Sequence, residues 1–271
     1  MSDIPELVDI HCHLVPGVDD GAPTLQHGLD ALASFVDAGI RRVVTTPHLD
    51  GAHARSPRRE AIDAAFEELA EAAAATVPDI QLELAYEVRI DDPEADLADQ
   101  TLGLSGGGGL LVEFPQLTLP AYSDRMLEVV LAHDWIPVLA HPERYAGVGL
   151  AYGWIERWRE MGAVMCLNVG SLLGEYGIDA ERVARRMLTE GHADVVASDH
   201  HARPRRSTTL RRGWDLLTAD GSMQTREAAH ALMVGNPLSV LSGDALAPVP
   251  PMESGGRWFD RLRRRLLGDT K

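Results

Sequence analysis

A pair of histidines at the end of a short apolar run constrains this chain more than any other feature. Residues 7–10 lead into His11 and His13, which a single residue separates. Side chains alternate across a strand, so residues two apart project from the same face and the two imidazoles point the same way. The Pro-Gly and Asp-Asp-Gly steps that follow predict a tight loop that returns Asp19 or Asp20 towards them. An isolated histidine pair is more often a surface or hydrogen-bonded pair, so a metal site requires matching ligands from later strands.

Apolar strands and helices alternate along the rest of the chain. The order strand, loop, helix recurs about seven times without an internal sequence repeat, which predicts a parallel sheet, closed as a barrel or doubly wound. Early in the chain we expect a helix from Thr24 to Asp37, a strand that stops at Pro47-His48, a long helix from Ser56 to about Thr76 and a strand that ends in Glu87.

Histidine or acidic residues stand at the carboxyl ends of six predicted strands. They are His11 with His13, His48, Glu87, Glu113, His141, and Asp199 with His201. In a (β/α) barrel these strand ends converge on the catalytic face, whereas an open sheet would spread them too far apart for one site. We therefore expect an α/β fold of the distorted (β/α)7 TIM-like barrel type with its site at the C-terminal ends of the strands.

Length and composition favour one large domain, which we place at residues 1–250. Residues 251–271 form a basic amphipathic tail, for which docking on the domain is the simpler interpretation and contact with a membrane surface or a partner is the alternative. The formal net charge of −16 argues against nucleic acid and anionic membranes as partners. No run approaches 18 apolar residues, so we expect no transmembrane segment. Two cysteines, Cys12 and Cys166, fit a reducing cytoplasm, and the oligomeric state stays open.

The candidate ligands are imidazoles and carboxylates without thiolates. This set suits Mn, Fe, Co or Zn and disfavours structural zinc and all-oxygen Ca or Mg sites. Each member taken alone has a simpler explanation: His48 could cap a turn, Glu113 could pair with an arginine, and His141 could be a buried, hydrogen-bonded histidine. Six coincident strand-end positions favour a shared site with enough ligands for two or three ions. Such a site generates hydroxide and holds the oxygens of an in-line displacement at phosphorus.

Seven features of the sequence resemble one known family: the stretch DIHCH, the loop PGVDDG, the stretch TTPH, Glu87, Glu113, HPERY and SDHH. Together they resemble the PHP (polymerase and histidinol phosphatase) superfamily over residues 7–240. The Asp-Asp-Gly loop and HPERY are most similar to its bacterial manganese-dependent protein-tyrosine phosphatases of capsule and exopolysaccharide clusters. The resemblance implies a phosphotyrosine protein as substrate, with the tail of a bacterial tyrosine autokinase as the usual target.

The resemblance also implies three metal ions. The first would be held by His11, His13, Glu87 and Asp199, the second by Glu87, Glu113 and His141, and the third by Asp20, His48 and His201. Glu87 would bridge the first two ions, and a hydroxide that bridges the same two ions would attack phosphorus without a phosphoenzyme. We expect Arg144, Glu87 and Asp199 to be the catalytic residues.

Arginines after the last two ligand strands are candidates for binding phosphate. Arg144, in HPERY, is the best of them because a planar guanidinium can hold two nonbridging oxygens; its alternative is a salt bridge to an acid. After His201 comes ARPRR, where spacing weakly favours Arg206 over Arg203 and Arg205. His200 is either a proton donor or a bystander.

Three other functions compete with the tyrosine phosphatase. The same chemistry could act on a small phosphomonoester such as histidinol phosphate, or the metal site could belong to a PHP module that binds without turnover. A cysteine-dependent tyrosine phosphatase requires Cys-x5-Arg, but Val18 stands six residues after Cys12 and Leu172 six after Cys166. The sequence therefore excludes the third function.

Overall fold

Parallel strands alternate with helices throughout the computed structural model, which describes residues 4–54, 56–202 and 210–252. The strands are β1 (Leu7–Asp9), β2 (Ile40–Thr45), β3 (His48–Asp50), β4 (Gln81–Leu84), β5 (Glu87–Arg89), β6 (Gly109–Glu113), β7 (Ile136–Ala140), β8 (Val164–Asn168) and β9 (Val195–Ala197). The helices are α1 (Leu25–Asp37), α2 (Pro57–Thr76), α3 (Ser123–Ala132), α4 (Gly153–Glu160), α5 (Val169–Leu172), α6 (Ile178–Glu190), α7 (Leu210–Leu217), α8 (Met223–His230) and α9 (Asn236–Ser242). None of these helices is both long and apolar enough to span a bilayer.

The strands form two sheets in the described part of the chain, and every pairing is parallel. One sheet has the order β1-β2-β4 and the other β3-β5-β6-β7-β8-β9. Backbone bonds continue the pairing within each sheet at the breaks: the Ala85 N–H donates to Thr45 O beside β2 and β4, and the Glu87 N–H donates to Pro47 O beside β3 and β5. Between the two sheets, the Asp199 N–H beyond β9 donates to His11 O beyond β1. The predicted α/β class with parallel strands is confirmed, although the strand pairing is interrupted.

One expected strand boundary is confirmed and one is wrong in detail. β2 ends at Thr45, before Pro47-His48 as expected, although a short strand that was not predicted, β3, begins at His48. The strand that was to end in Glu87 pauses after Leu84 and resumes at Glu87. Proline has no N–H to donate to a neighbouring strand, which explains an interruption at Pro47. His48 and Glu87 lie opposite each other in the β3–β5 pairing, so the interruption brings both residues to the same level.

Side chains on the strands alternate between two apolar cores. In β6, Leu111 belongs to a smaller core, whereas Leu110 and Val112 belong to the larger core that the helices cover. The smaller core collects residues from strands of both sheets: Val8, Val44, Leu111, Val138, Ala140, Val164, Cys166, Val195 and Ala197. Residues from β1, β2, β6, β7, β8 and β9 thus share one interior, as the barrel-type arrangement requires.

Two predicted helices are confirmed, and most of the predicted tail lies outside the described residues. The helices predicted from Thr24 to Asp37 and from Ser56 to Thr76 are present as α1 and α2. Met252 is buried, and its N–H donates to Leu188 O, so the chain still packs on the domain just past residue 250. Residues 253–271, which include the predicted amphipathic helix, lie outside the described residues.

Candidate metal centre

The structure brings the nine candidate ligands together at the carboxyl ends of the strands. Eight of them form two groups that differ in depth. We call the first the inner group; it consists of His11, His13, Glu87, His141 and Asp199. We call the second the outer group; it consists of Asp20, His48 and His201. The ninth candidate, Glu113, lies between the two groups.

Glu87 is the centre of the inner group, and none of its surface is exposed. Its Oε2 lies 3.3 Å from His11 Nε2 and 3.3 Å from His13 Nε2, while its Oε1 lies 2.9 Å from His141 Nε2. Asp199 Oδ1 approaches the same two imidazoles, at 3.5 Å from His11 and 3.4 Å from His13. Burial opposes ionisation of Glu87, but the histidines outweigh it and hold the pKa of this carboxyl well below its usual range.

Two members of the outer group, Asp20 and His48, lie nearer to solvent, whereas His201 is buried. Asp20 Oδ1 is 3.5 Å from His48 Nε2 and 3.3 Å from His201 Nε2, and the Asp20 side chain is 58% exposed. These three residues and His13 each present one ligand atom within 4.8 Å of the others. The His13 ring also stacks on the His201 ring with centroids 4.3 Å apart. The outer group is therefore continuous with the inner one through His13.

Glu113 is closer to His48 than to His141. Its Oε1 lies 3.2 Å from His48 Nδ1, whereas its Oε2 lies 4.0 Å from His141 Nε2. His48 Nδ1 is also 3.0 Å from Glu87 Oε2. The structure thus places His48 beside the second of the implied ligand sets as well as the third.

Two buried atoms without hydrogen bonds indicate whether this cluster suits a cation. Glu87 Oε2 and His48 Nδ1 are buried and form no hydrogen bond, although they face each other. A buried polar atom without a partner costs free energy, and a cation bound between such atoms would remove that cost. The donor set of imidazole and carboxylate also suits a divalent transition metal. The residues present therefore fit a metal site.

Asp19 holds His13 in place, a role that the sequence did not assign to it. Asp19 Oδ2 accepts from His13 Nδ1 at 2.8 Å and from the His48 N–H at 3.1 Å, which leaves His13 Nε2 facing Glu87. A carboxylate that accepts a hydrogen bond from one ring nitrogen of a histidine commonly orients the other nitrogen towards a metal in this way. The turn requires Gly21, because a Cβ at that position would lie 2.3 Å from His13 O. The Asp-Asp-Gly motif was the available signal, and its two acids have different roles.

Two hydrogen bonds to Oδ2 hold the Asp199 side chain in place. Arg144 Nη1 donates to Asp199 Oδ2 at 2.6 Å, and Asn168 Nδ2 donates to the same atom at 2.8 Å. Asn168, at the end of β8, is a second positioning residue that the sequence analysis missed. Its own N–H donates to the buried Glu143 Oε1. Arg144 thus forms the salt bridge to an acid that was its alternative explanation, at the edge of the candidate metal centre.

Two candidate ligands have left-handed backbone conformations, His141 with φ 37° and Asp199 with φ 49°. Residues other than glycine rarely adopt such angles, and strained residues of this kind cluster at functional sites. Both residues directly follow the end of a strand or lie two residues beyond it, where the chain must turn.

Asp9 connects the first and last strands beneath the site. Its Oδ1 accepts from the Ser198 N–H at 3.1 Å and from the His11 N–H at 3.4 Å. Burial raises the pKa of Asp9 to about 6, and the hydrogen bonds from Ser198 only partly offset this. Asp9 therefore fixes the backbone at His11 and at Ser198, the residue before Asp199.

The remaining candidates lie elsewhere. The His200 ring packs edge-on against Phe35 with centroids 5.2 Å apart, a packing position that favours the bystander interpretation. Arg203, Arg205 and Arg206 lie outside the described residues. Glu156, Glu190 and His192 form a separate, more exposed group, but His192 Nδ1 is already 3.0 Å from the Tyr152 hydroxyl.

Both thiols are poor nucleophiles here. Cys12 and Cys166 are free and buried, and burial raises the pKa of each thiol well above its ordinary value. A thiolate mechanism therefore has no support from geometry or from acidity.

Comparison with known proteins identifies the family. A family model described as "Capsular polysaccharide synthesis, CpsB/CapC" matches residues 7–242. The tyrosine-protein phosphatase YwqE of Bacillus subtilis is 32% identical over 202 residues, which are 72% of this chain and 77% of that protein. The tyrosine-protein phosphatase CpsB of Streptococcus pneumoniae is 26% identical over 243 residues, 87% of this chain and 98% of that protein.

Solved structures agree with this family assignment. A crystal structure described as one of YwqE from B. subtilis and CpsB from S. pneumoniae, "unique metal-dependent tyrosine phosphatases", superimposes with a TM-score of 0.77. The match is 26% identical and covers 91% of this chain and 99% of that one. A lactonase from Listeria monocytogenes, with a TM-score of 0.54 and 12% identity, shares the fold alone. The resemblance seen in the sequence is confirmed, and the chain belongs to the CpsB/CapC capsular polysaccharide synthesis family.

Proposed function

We propose that this protein is a metal-dependent protein-tyrosine phosphatase. The observation that carries the proposal is the convergence of His11, His13 and Asp199 on the buried carboxylate of Glu87, with Arg144 at the edge of the cluster. The names of its relatives as tyrosine-protein phosphatases support the same function. Manganese is the cofactor we propose, as two or three ions, with Fe, Co and Zn as alternatives of the same donor preference.

The inner and outer groups would hold the ions, with Glu87 between the first two. Divalent metals held there would polarise phosphoryl oxygens and supply hydroxide at neutral pH. The protein's own residues do the positioning: Asp19 orients His13, and Asn168 and Arg144 fix Asp199 so that its Oδ1 faces the histidines. Each side chain is thus oriented before substrate binds, which lowers the reorganisation needed in the transition state.

Arg144 is the residue we propose for holding the phosphoryl group. Its pairing with Asp199 outweighs the effect of burial and raises the pKa of the guanidinium above its ordinary value, so the charge is permanent. The guanidinium carbon also lies 4.0 Å from the centre of the Tyr176 ring, which orients its plane. Arg206, outside the described residues, stays a second candidate from the sequence.

The leaving group explains the proposed preference for phosphotyrosine. Tyrosinate has a free pKa of about 10, so it departs with little help from a general acid, whereas an alkoxide does not. We further propose a tyrosine-phosphorylated bacterial kinase as the substrate, since the family is one of capsular polysaccharide synthesis. The two free, buried cysteines agree with action in the cytoplasm.

One experiment tests the function. Protein loaded with Mn²⁺ is given a phosphotyrosine peptide, a phosphoserine peptide of the same sequence, and histidinol phosphate, and phosphate release is measured. We expect the phosphotyrosine peptide to be hydrolysed fastest and the phosphoserine peptide to be nearly inert. A clear preference for histidinol phosphate would make the protein a metabolite phosphatase. Bound metal without turnover of any substrate would instead indicate a non-catalytic module.

A further inference from the structure

A cavity of about 520 Å³ lies beside the candidate metal centre, and Arg144 is one of its lining residues. Its lining comes from the loop of residues 143–150 and from α6, together with Tyr152 and Tyr176. The nine candidate ligands are not among the lining residues. Arg144 is common to both places: it donates to Asp199 in the cluster, and its guanidinium covers the Tyr176 ring in the cavity wall. A molecule whose phosphate lies against Arg144 is therefore placed to extend into this cavity.

Part of the cavity wall is apolar and aromatic. Val148, Leu150 and Val183 line it together with Tyr152 and Tyr176. The Leu150 side chain is 98% exposed, so a large apolar group faces solvent at this cavity. Burying such a group against a ligand would be favourable in proportion to the apolar area removed from water.

The charges around the cavity are balanced. Arg182 Nη1 donates to Asp179 at 2.8 Å, and Arg186 Nε donates to Glu190 at 2.7 Å. The Arg186 guanidinium carbon also lies 3.6 Å from the centre of the Tyr152 ring. Since each arginine already has an acidic partner, the cavity is suited to select its occupant by shape and apolar contact rather than by charge.

We propose that this cavity binds an apolar or aromatic side chain of the substrate peptide, a few residues from the phosphotyrosine. The inference rests on the proposed function and extends it to substrate choice. A volume of about 520 Å³ falls in the range of pockets that bind compact organic groups. An extended peptide advances about 3.3 Å per residue, so a side chain near the phosphotyrosine reaches a cavity that begins at Arg144.

Peptide substrates test the inference directly. A series of phosphotyrosine peptides carries leucine, phenylalanine, glycine, aspartate or lysine at each position within four residues of the phosphotyrosine. We expect one position at which leucine or phenylalanine raises kcat/KM on the order of tenfold over glycine, with no such gain for aspartate or lysine. para-Nitrophenyl phosphate, which has no flanking chain, serves as the reference substrate.

A matched pair of variants identifies the cavity as the cause. Leu150→Glu places a charge at the cavity, and Met223→Glu makes the same kind of change at a 74% exposed methionine at the start of α8. We expect Leu150→Glu to raise KM for the preferred peptide by about threefold to tenfold. Its kcat on that peptide and its kcat/KM on para-nitrophenyl phosphate should stay unchanged. Met223→Glu should behave as wild type on every substrate.

The possible failures are distinguishable. If wild-type protein hydrolyses phosphotyrosine peptides without any flanking preference, the cavity proposal is overturned while the proposed function survives. The same holds if Leu150→Glu and Met223→Glu give identical kinetics on the preferred peptide. If metal-loaded wild type hydrolyses no phosphotyrosine peptide at all, the proposed function fails and the cavity proposal fails with it.

Discussion

The inner and outer ligand groups differ in how they are protected from water. In the inner group Glu87 is fully buried and Asp199 is 3% exposed, whereas in the outer group the Asp20 side chain is 58% exposed. A buried charge requires partners from the protein, because water cannot supply them. The inner group accordingly has fixed support from Asn168 and Arg144. From this difference we expect the inner group to determine metal retention and the outer group to face the substrate.

Glu87→Gln should have the largest effect. Glutamine keeps the size of the side chain but removes the charge on which His11, His13 and His141 converge. We expect the loss of bound metal and of all measurable phosphatase activity, while the fold survives because the apolar interior of the strands is unchanged. Elemental analysis, phosphate release and circular dichroism measure the three properties. Full metal occupancy with intact activity would refute the role of Glu87.

Substitutions of Arg144 test the phosphate-binding role proposed at the edge of the inner group. Arg144→Ala should lower kcat/KM on the order of 10²-fold, the scale for removing an oxyanion donor. Arg144→Lys should lose less but still a substantial part, because lysine keeps the charge without the bidentate geometry. Arg157→Ala, which removes a 60% exposed arginine on α4, is the control. Normal rates in both Arg144 variants would transfer the phosphate-binding role to Arg206.

Asp19 connects the two groups, since it binds the His13 side chain and the His48 backbone. Asp19→Asn should weaken metal affinity by about 10- to 100-fold, because an amide no longer orients His13 as an anionic acceptor does. Titration of the metal-free protein with Mn²⁺ measures the affinity, and Asp30→Asn on the exposed face of α1 is the control. Equal affinities in the two variants would show that Asp19 supports only the loop.

Asp20→Asn should have a milder effect than Asp19→Asn, although the two residues are adjacent. Asp20 contacts the histidines of the outer group only, and water can replace part of its contribution. We expect retention of the inner metals, loss of the outermost ion and a fall in activity of no more than about tenfold at saturating Mn²⁺. Loss of all metal from Asp20→Asn would mean that the two groups bind their ions as one unit.

The sequence predicted the ends of continuous strands better than the breaks within strands, for a physical reason. His11, His13, Glu113 and His141 follow apolar runs, and such runs indicate where a parallel strand ends. The breaks that place His48 and Glu87 at the beginning of short strands were not predicted, because pairing across a break depends on the neighbouring strand. Roles as metal ligands stay predictions, whereas the proximity of the nine side chains is a finding.

The sequence did not assign the positioning roles. Asn168 is one asparagine after an apolar strand, and only the fold shows that its side chain meets Asp199 from another strand. The choice between Asp19 and Asp20 depended on the path of a turn that Gly21 permits. The left-handed backbone conformation of His141 was not predicted, because glycine is the usual sequence signal for it and position 141 is a histidine. Local patterns therefore located the site, while contacts between distant strands determine its geometry.

The smallest effect on activity is expected at the two thiols, although Cys12 lies between two inner ligands in sequence. Its Sγ donates to Val44 O, and its side chain belongs to the buried core and not to the ligand cluster. Cys12→Ser and Cys166→Ser should retain most of the activity and all of the metal. Burying a hydroxyl in place of a thiol should still lower the free energy of unfolding by about 1–2 kcal/mol, which urea denaturation can measure. Treatment with a chelator should abolish activity in wild type and both variants alike. If Cys12→Ser lost turnover with normal metal content, a nucleophilic thiol would replace metal-dependent hydrolysis as the mechanism, and the difference between the two ligand groups would no longer explain catalysis.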